Sequence, residues 1–128
     1  GVSFRRQTAE AGLGEAALKN HAGNFVTIDA RSVPAAVTSM VPKTPPDMRI
    51  TMIDAPGRDS YPIVNYEYVI VQAHQPTTAI AAAVKAFLAW TVAPDGGNTP
   101  AYLGEVDFLP LPAPARKLAL EQIDKIHS

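Results

Sequence analysis

The sequence predicts an α/β chain, and three observations carry that prediction. Residues 61–71 are dense in β-branched and aromatic side chains: Ile63, Val64, Tyr66, Tyr68, Val69, Ile70 and Val71. Two segments, 77–92 and 115–126, carry apolar residues at helical spacing. The 12 prolines, about twice the average share, divide the remainder into short elements joined by Pro-bounded turns, which excludes a long helical bundle.

The elements follow in order. Val2, Ser3 and Phe4 form a short β-prone run, and residues 5–10 suit one helical turn before Gly12 and Gly14 interrupt it. Residues 15–19 and 24–27 bracket the turn formers Asn20, His21, Ala22 and Gly23, a pattern that predicts a hairpin with a loop of four or five residues. A helix is expected to start between Asp29 and Ser32 and to run to about Met40. Asp and Ser are good N-caps, Val33, Ala36, Val37 and Met40 recur at helical spacing, and Pro34 is tolerated only in a first turn. Pro42, Pro45 and Pro46 close it.

Residues 49–53 alternate as a strand, and 54–60 form a polar loop. The main strand, 61–71, is apolar on both faces from Tyr68 to Val71, which predicts that this end lies inside a covered sheet, while Asn65 and Glu67 share a face turned to water. A turn over 72–75 leads to Pro76, Thr77 and Thr78, which cap a helix running to about Val92. Its stripe is Ile80, Val84, Phe87 and Leu88, six alanines keep the rest small, and Lys85 marks the solvent face. Residues 94–98 end it, 99–103 suit one more helical turn and 107–111 are extended. The last helix, 115–126, is expected to turn Ala119, Leu120, Ile123 and Ile126 inward, with Lys117, Glu121 and Lys125 paired outside.

Composition narrows the function classes. The 128 residues match one ordinary domain, and 11 Lys plus Arg against 12 Asp plus Glu leave a net charge of −1 with no long run of either sign. Nucleic-acid binding and a polybasic membrane patch are thereby disfavoured. With no cysteine, a disulfide scaffold, a thiolate zinc site and a cysteine nucleophile are all excluded. The apolar stretch 77–93 is interrupted by Lys85 and too short to span a bilayer. The opening Gly1, Val2, Ser3, Phe4 has no initiator methionine and no signal-peptide pattern, so Gly1 reads as a processing or truncation boundary.

No motif supplies a self-contained active site. His21, His74 and His127 each lack a second ligand within four residues and read as exposed surface histidines. Asp54, Arg58 and Asp59 flank a Pro-Gly turn, where local turn hydrogen bonds account for the carboxylates. Ser3, Ser32, Ser39, Ser60 and Ser128 lack the context of a nucleophile elbow. Gly12 and Gly14 lack the third glycine of a phosphate-cradling loop. Thr77 and Thr78 open a helix, which is an anion-binding geometry that capping alone explains. Tyr61, Tyr66 and Tyr68 read as packing residues at period two. An enzyme would need a convergent acid–base pair, and the carboxylates Glu67, Asp95 and Asp107 are scattered.

Four runs in order, GLGEAALKNHAGNFV from Gly12, ITMIDAPGRDSYPIVNYEYVIV from Ile50, KAFLAWTV from Lys85 and LGEVDFLPLP from Leu103, followed by a final helix, give the chain a wider resemblance. It resembles the C-terminal part of the PstS family, the phosphate-binding proteins of bacterial phosphate ABC transporters, and looks most like the mycobacterial and actinobacterial members. The resemblance implies a two-lobed, Venus-flytrap periplasmic-binding-protein fold of type II. It also implies an extracytoplasmic location, as a periplasmic protein or a lipoprotein at the cell membrane, and phosphate delivery to an ABC permease with no cofactor. In that family the phosphate ligands lie in the N-terminal half or so, and their motifs are missing here, so no residue of this chain is expected to bind phosphate.

The same resemblance implies that residues 1–60 belong to the second lobe and 61–128 to a hinge strand and the C-terminal portion of the first. Pro34 departs from the family's usual helix start. A chain of this kind has unpaired strand edges and an uncovered face on helix 77–92, which predicts that it either self-associates when isolated or is part of a longer or nicked molecule. The alternative is a stand-alone structural or interaction module with no small-ion ligand.

Overall fold

A computed structural model describes residues 11–106 and 108–128. The expected β run at 2–4, the helical turn at 5–10, and Asp107 lie outside the described residues. Mixed helix and a small sheet make up the described chain, compatible with an α/β fragment. It divides into two compact units, one reaching to Pro45 and resuming over Arg49–Tyr68, the other formed by Pro46–Met48 and Val69–Ser128.

In the first unit, β1 (Leu18–Lys19) and β2 (Phe25–Val26) form the expected antiparallel hairpin, with Leu18 opposite Val26 and Lys19 opposite Phe25. The loop closes through the Asn20 amide to the Asn24 carbonyl and the Gly23 amide to the Asn20 carbonyl, both at 2.8 Å. Gly23 sits at φ +86°, a conformation glycine adopts without a Cβ penalty. Helix α1 (Ser32–Met40) runs into a 3₁₀ turn, Val41–Lys43. Pro34 falls in its first turn, where a missing N–H costs nothing. Ala36, Met52 and Ala55 are sealed from solvent at 0–1% exposure and anchor this unit's core.

Residues 49–53 are not a strand. Positive φ at Met48 (58°) and Asp54 (55°) bends the chain at both ends, and among the described residues no ladder forms with it. The backbone tie there is the Asp54 amide to the Pro62 carbonyl, 2.8 Å. Residues 61–71 likewise form no ladder. Side-chain alternation survives in the first half, with Val64 and Tyr66 buried and Ile63, Asn65 and Glu67 exposed. The expectation of a covered end fails: Val69 and Ile70 are 70% and 93% exposed. An apolar β-run becomes interior only when other strands flank it, and these described residues supply none.

The second unit is built on α2 (Thr78–Val92), α3 (Pro100–Leu103) with its 3₁₀ extension Gly104–Val106, and α4 (Ala113–Ile123). Ala81, Leu88 and Ile126 form its core, with Val84 and Ile123 packed against them. Thr77 Oγ1 accepts from the Ile80 amide at 3.2 Å, the expected cap. Asn98, buried, donates to the Leu111 carbonyl and accepts its amide, at 3.2 and 2.8 Å, so a side chain stands in for a ladder partner of the extended segment.

Four expectations for the helices need correction. Ile80 and Phe87 are exposed rather than inside the packed stripe, because α2 packs through Ala81, Val84 and Leu88 and, among the described residues, these two side chains lie outside that contact. Lys85 is half-buried, so it does not mark the solvent face. Helix α4 starts earlier and ends sooner than expected, since Pro112 serves as its N-cap and a turn follows Ile123. Ala115 and Ile126 are buried while Leu120 is exposed. Among the described residues no helix is long and apolar enough to cross a membrane.

Candidate functional site

The most elaborate polar constellation is built around Asn20, 5% exposed in the hairpin loop. Its Nδ2 donates toward the carbonyls of Gly57, Arg58 and Ser60 at 3.3, 2.8 and 3.1 Å. Its Oδ1 accepts from the Asn24 amide at 3.0 Å, and Asn24 Nδ2 donates to the Arg58 carbonyl at 3.0 Å. The 57–60 loop turns its carbonyls inward because Gly57 adopts φ +128°, and a Cβ there would meet Ser60 Oγ at 2.5 Å. Ser60, fully buried, donates from Oγ to the Pro56 carbonyl at 2.9 Å.

Both ends of the Asn20 carboxamide are engaged by neighbouring main chain, and no charged side chain takes part in these bonds. Its chemistry is that of a scaffold that fixes the hairpin on the loop. Beside it, Asp29 Oδ1 accepts from the amides of Arg31 and Ser32 at 2.7 Å each, and Ser32 Oγ donates to the Thr27 carbonyl at 2.7 Å. The amides of Ser32 and Arg31 hold the Asp29 carboxyl below its ordinary pKa.

The remaining candidates are dispersed. Asp54 pairs with His21, Nδ1 to Oδ2 at 3.0 Å, in an exposed contact; Arg58 and Asp59 are exposed. Gly12 and Gly14 have open space around them and form no cradle. Ser39 Oγ donates to the Ala36 carbonyl at 2.7 Å, and the hydroxyls of Thr78 and Ser128 bond at 3.0 Å. Ser3 lies outside the described residues. Glu67 and Asp95 are exposed, and Asp107 lies outside the described residues. No group of three or more His, Asp or Glu suited to a metal occurs among the described residues.

The tyrosines pack as expected. Tyr66 and Tyr68 meet edge to face at 6.3 Å, and Tyr68 donates its hydroxyl to the Ile50 carbonyl at 3.0 Å. The Tyr61 amide donates to the Ser32 carbonyl at 3.0 Å. Burial pushes the Tyr66 phenol above its ordinary pKa, and the nearby Thr44 hydroxyl offsets this only in part. The Tyr66 hydroxyl makes no well-formed hydrogen bond among the described residues.

One pairing was missed by local spacing. His74 and His127 form an isolated parallel bridge, with ring centroids 5.4 Å apart. No signal near either residue announces the other.

No family model matches the chain. It is, however, 30% identical to the phosphate-binding protein PstS of Methanocaldococcus jannaschii over an alignment of 128 residues. The alignment supports a PstS-like relationship. It takes in 91% of this chain but only 32% of that protein, so the chain spans about a third of the length of the relative it matches.

Proposed function

We propose that this chain is the C-terminal segment of a solute-binding protein that captures inorganic phosphate for an ABC importer. It supplies scaffold, hinge and lobe packing, and the phosphate ligands come from the rest of the polypeptide. The observation that carries this reading is the 30% identity to a PstS protein along 91% of the chain. The saturated, neutral Asn20 clamp supports a scaffold role, because its hydrogen-bonding capacity is spent on its own backbone. On this reading the protein binds and releases its ligand without turnover, faces the outside of the cytoplasmic membrane as a lipoprotein or periplasmic protein, and hands phosphate to the permease.

In the same reading, residues 1–60 belong to the second lobe and 61–128 to the hinge strand and first lobe. The change of compact unit after Tyr68 supports a hinge role for the preceding segment. The exposed run from Val69 to Val71 and the bare side of α2 are then surfaces that the remainder of the first lobe covers. The test is the gene: the reading frame that contains these residues should carry, upstream, a lipobox cysteine and Ser/Thr/Gly-rich anion loops. A frame without them points to the stand-alone structural module instead.

A further inference from the structure

We propose that His74 and His127 chelate a single divalent late-transition-metal ion, clipping the C-terminal segment to the approach to α2. The two residues are directly opposite each other in a parallel bridge. The Gln75 amide donates to the His127 carbonyl, and the His127 amide to the Ala73 carbonyl, both at 2.7 Å. Main chain therefore fixes both Cα atoms, and both side chains are exposed.

Their ring centroids lie 5.4 Å apart with planes tilted by 55°. Two imidazoles on one tetrahedral cation, with N–metal bonds of about 2.0–2.1 Å, hold their ring centres roughly 5 Å apart. The spacing thus suits chelation with little movement. His127 Nδ1 lies 3.3 Å from the Ser128 carbonyl, and an Nδ1–H donated there leaves Nε2 as the lone-pair nitrogen. The His74 ring makes no side-chain hydrogen bond among the described residues and lies against the His127 ring.

Two imidazoles, with no side-chain carboxylate or thiolate joined to them among the described residues, select a borderline cation over calcium or magnesium, with copper(II) bound ahead of zinc. Water completes the coordination shell. Neither the phosphate reading nor any charged neighbour is needed for this site.

The test uses the untagged 128-residue chain, titrated calorimetrically with zinc, and copper(II) broadening of histidine ring protons by NMR. One zinc per chain is expected, with affinity falling at least tenfold in His74→Gln and in His127→Gln, and unchanged in His21→Gln. Because main-chain bonds make the bridge, the glutamine variants keep it, and circular dichroism checks that they fold. Broadening confined to His74 and His127 supports the site. Zinc binding unaffected by either glutamine variant, broadening centred on His21, or no binding overturns it.

Discussion

Asn20 and Ser60, forty residues apart and both closed to solvent, are joined by a hydrogen bond of 3.1 Å from the Asn20 side-chain Nδ2 to the Ser60 carbonyl. That contact, with its companions to Gly57 and Arg58, ties the β1–β2 hairpin to the loop that precedes residue 61. It gives the first unit order that a two-residue ladder alone does not supply.

Removing the clamp should loosen the hairpin. Asn20→Ala removes the side-chain donor shared by the Gly57, Arg58 and Ser60 carbonyls, and should destabilise the first unit by about 2 kcal/mol, the cost of unmaking partly buried hydrogen bonds. Asn20→Asp should be worse, since it faces those carbonyls with oxygen in place of the donor. Faster hydrogen exchange at the Asn20, Gly23 and Asn24 amides measures the effect.

The loop's own geometry makes a second prediction. Gly57→Ala places a Cβ 2.5 Å from Ser60 Oγ at φ +128°, where an L side chain is strained. A loss of about 1–3 kcal/mol is expected. Gly14→Ala, where a Cβ meets open space, is the control and should leave the melt unchanged.

Local chemistry was legible in the sequence, and long-range partnership was not. The hairpin, α1 with Pro34 in its first turn, the Thr77 cap and the helical turn at 99–103 all follow from nearest-neighbour rules. So does the exposure of Asn65 and Glu67. The strands read at 49–53 and 61–71 fail for a different reason: β-propensity records fitness for a sheet, and a sheet needs other strands. Likewise the Ile80 and Phe87 positions are apolar enough to be buried, but sequence spacing cannot tell which of two apolar sides of α2 a neighbour covers. The Asn20 clamp and the His74–His127 bridge join residues far apart in the chain, and no short motif encodes either.

Acid should act through Asp29. Its folded-state pKa is held below the ordinary carboxylate value of 3.8 by the Ser32 and Arg31 amides. A depressed folded pKa contributes stability that is present above the unfolded value and is lost as pH falls through the folded one. Asp29→Asn should remove this pH dependence below about pH 4 while keeping an acceptor at the start of α1. Melts of the two proteins from pH 7 down to pH 2 measure it, and parallel curves would contradict it.

The bare side of α2 should make the isolated chain associate. Phe87 stacks on Trp90 at 6.3 Å, Trp90 meets Tyr102 edge-on at 5.7 Å, and the three are 62%, 47% and 59% exposed. Exposed aromatic surface of this kind favours association. Replacing Ile80 and Phe87 together by glutamine should shift the light-scattering mass toward monomer and reduce binding of a hydrophobic dye. An unchanged mass would place the contact elsewhere.

The central claim is most directly tested by calorimetric titration of phosphate into the protein encoded by the complete reading frame, with the 128-residue chain and sulfate as controls. The account predicts one phosphate per complete polypeptide, no competition by sulfate, and no phosphate binding by the chain alone. Phosphate bound by the chain alone would contradict the exclusion of ligands from these residues, and a complete protein indifferent to phosphate would contradict the transport reading.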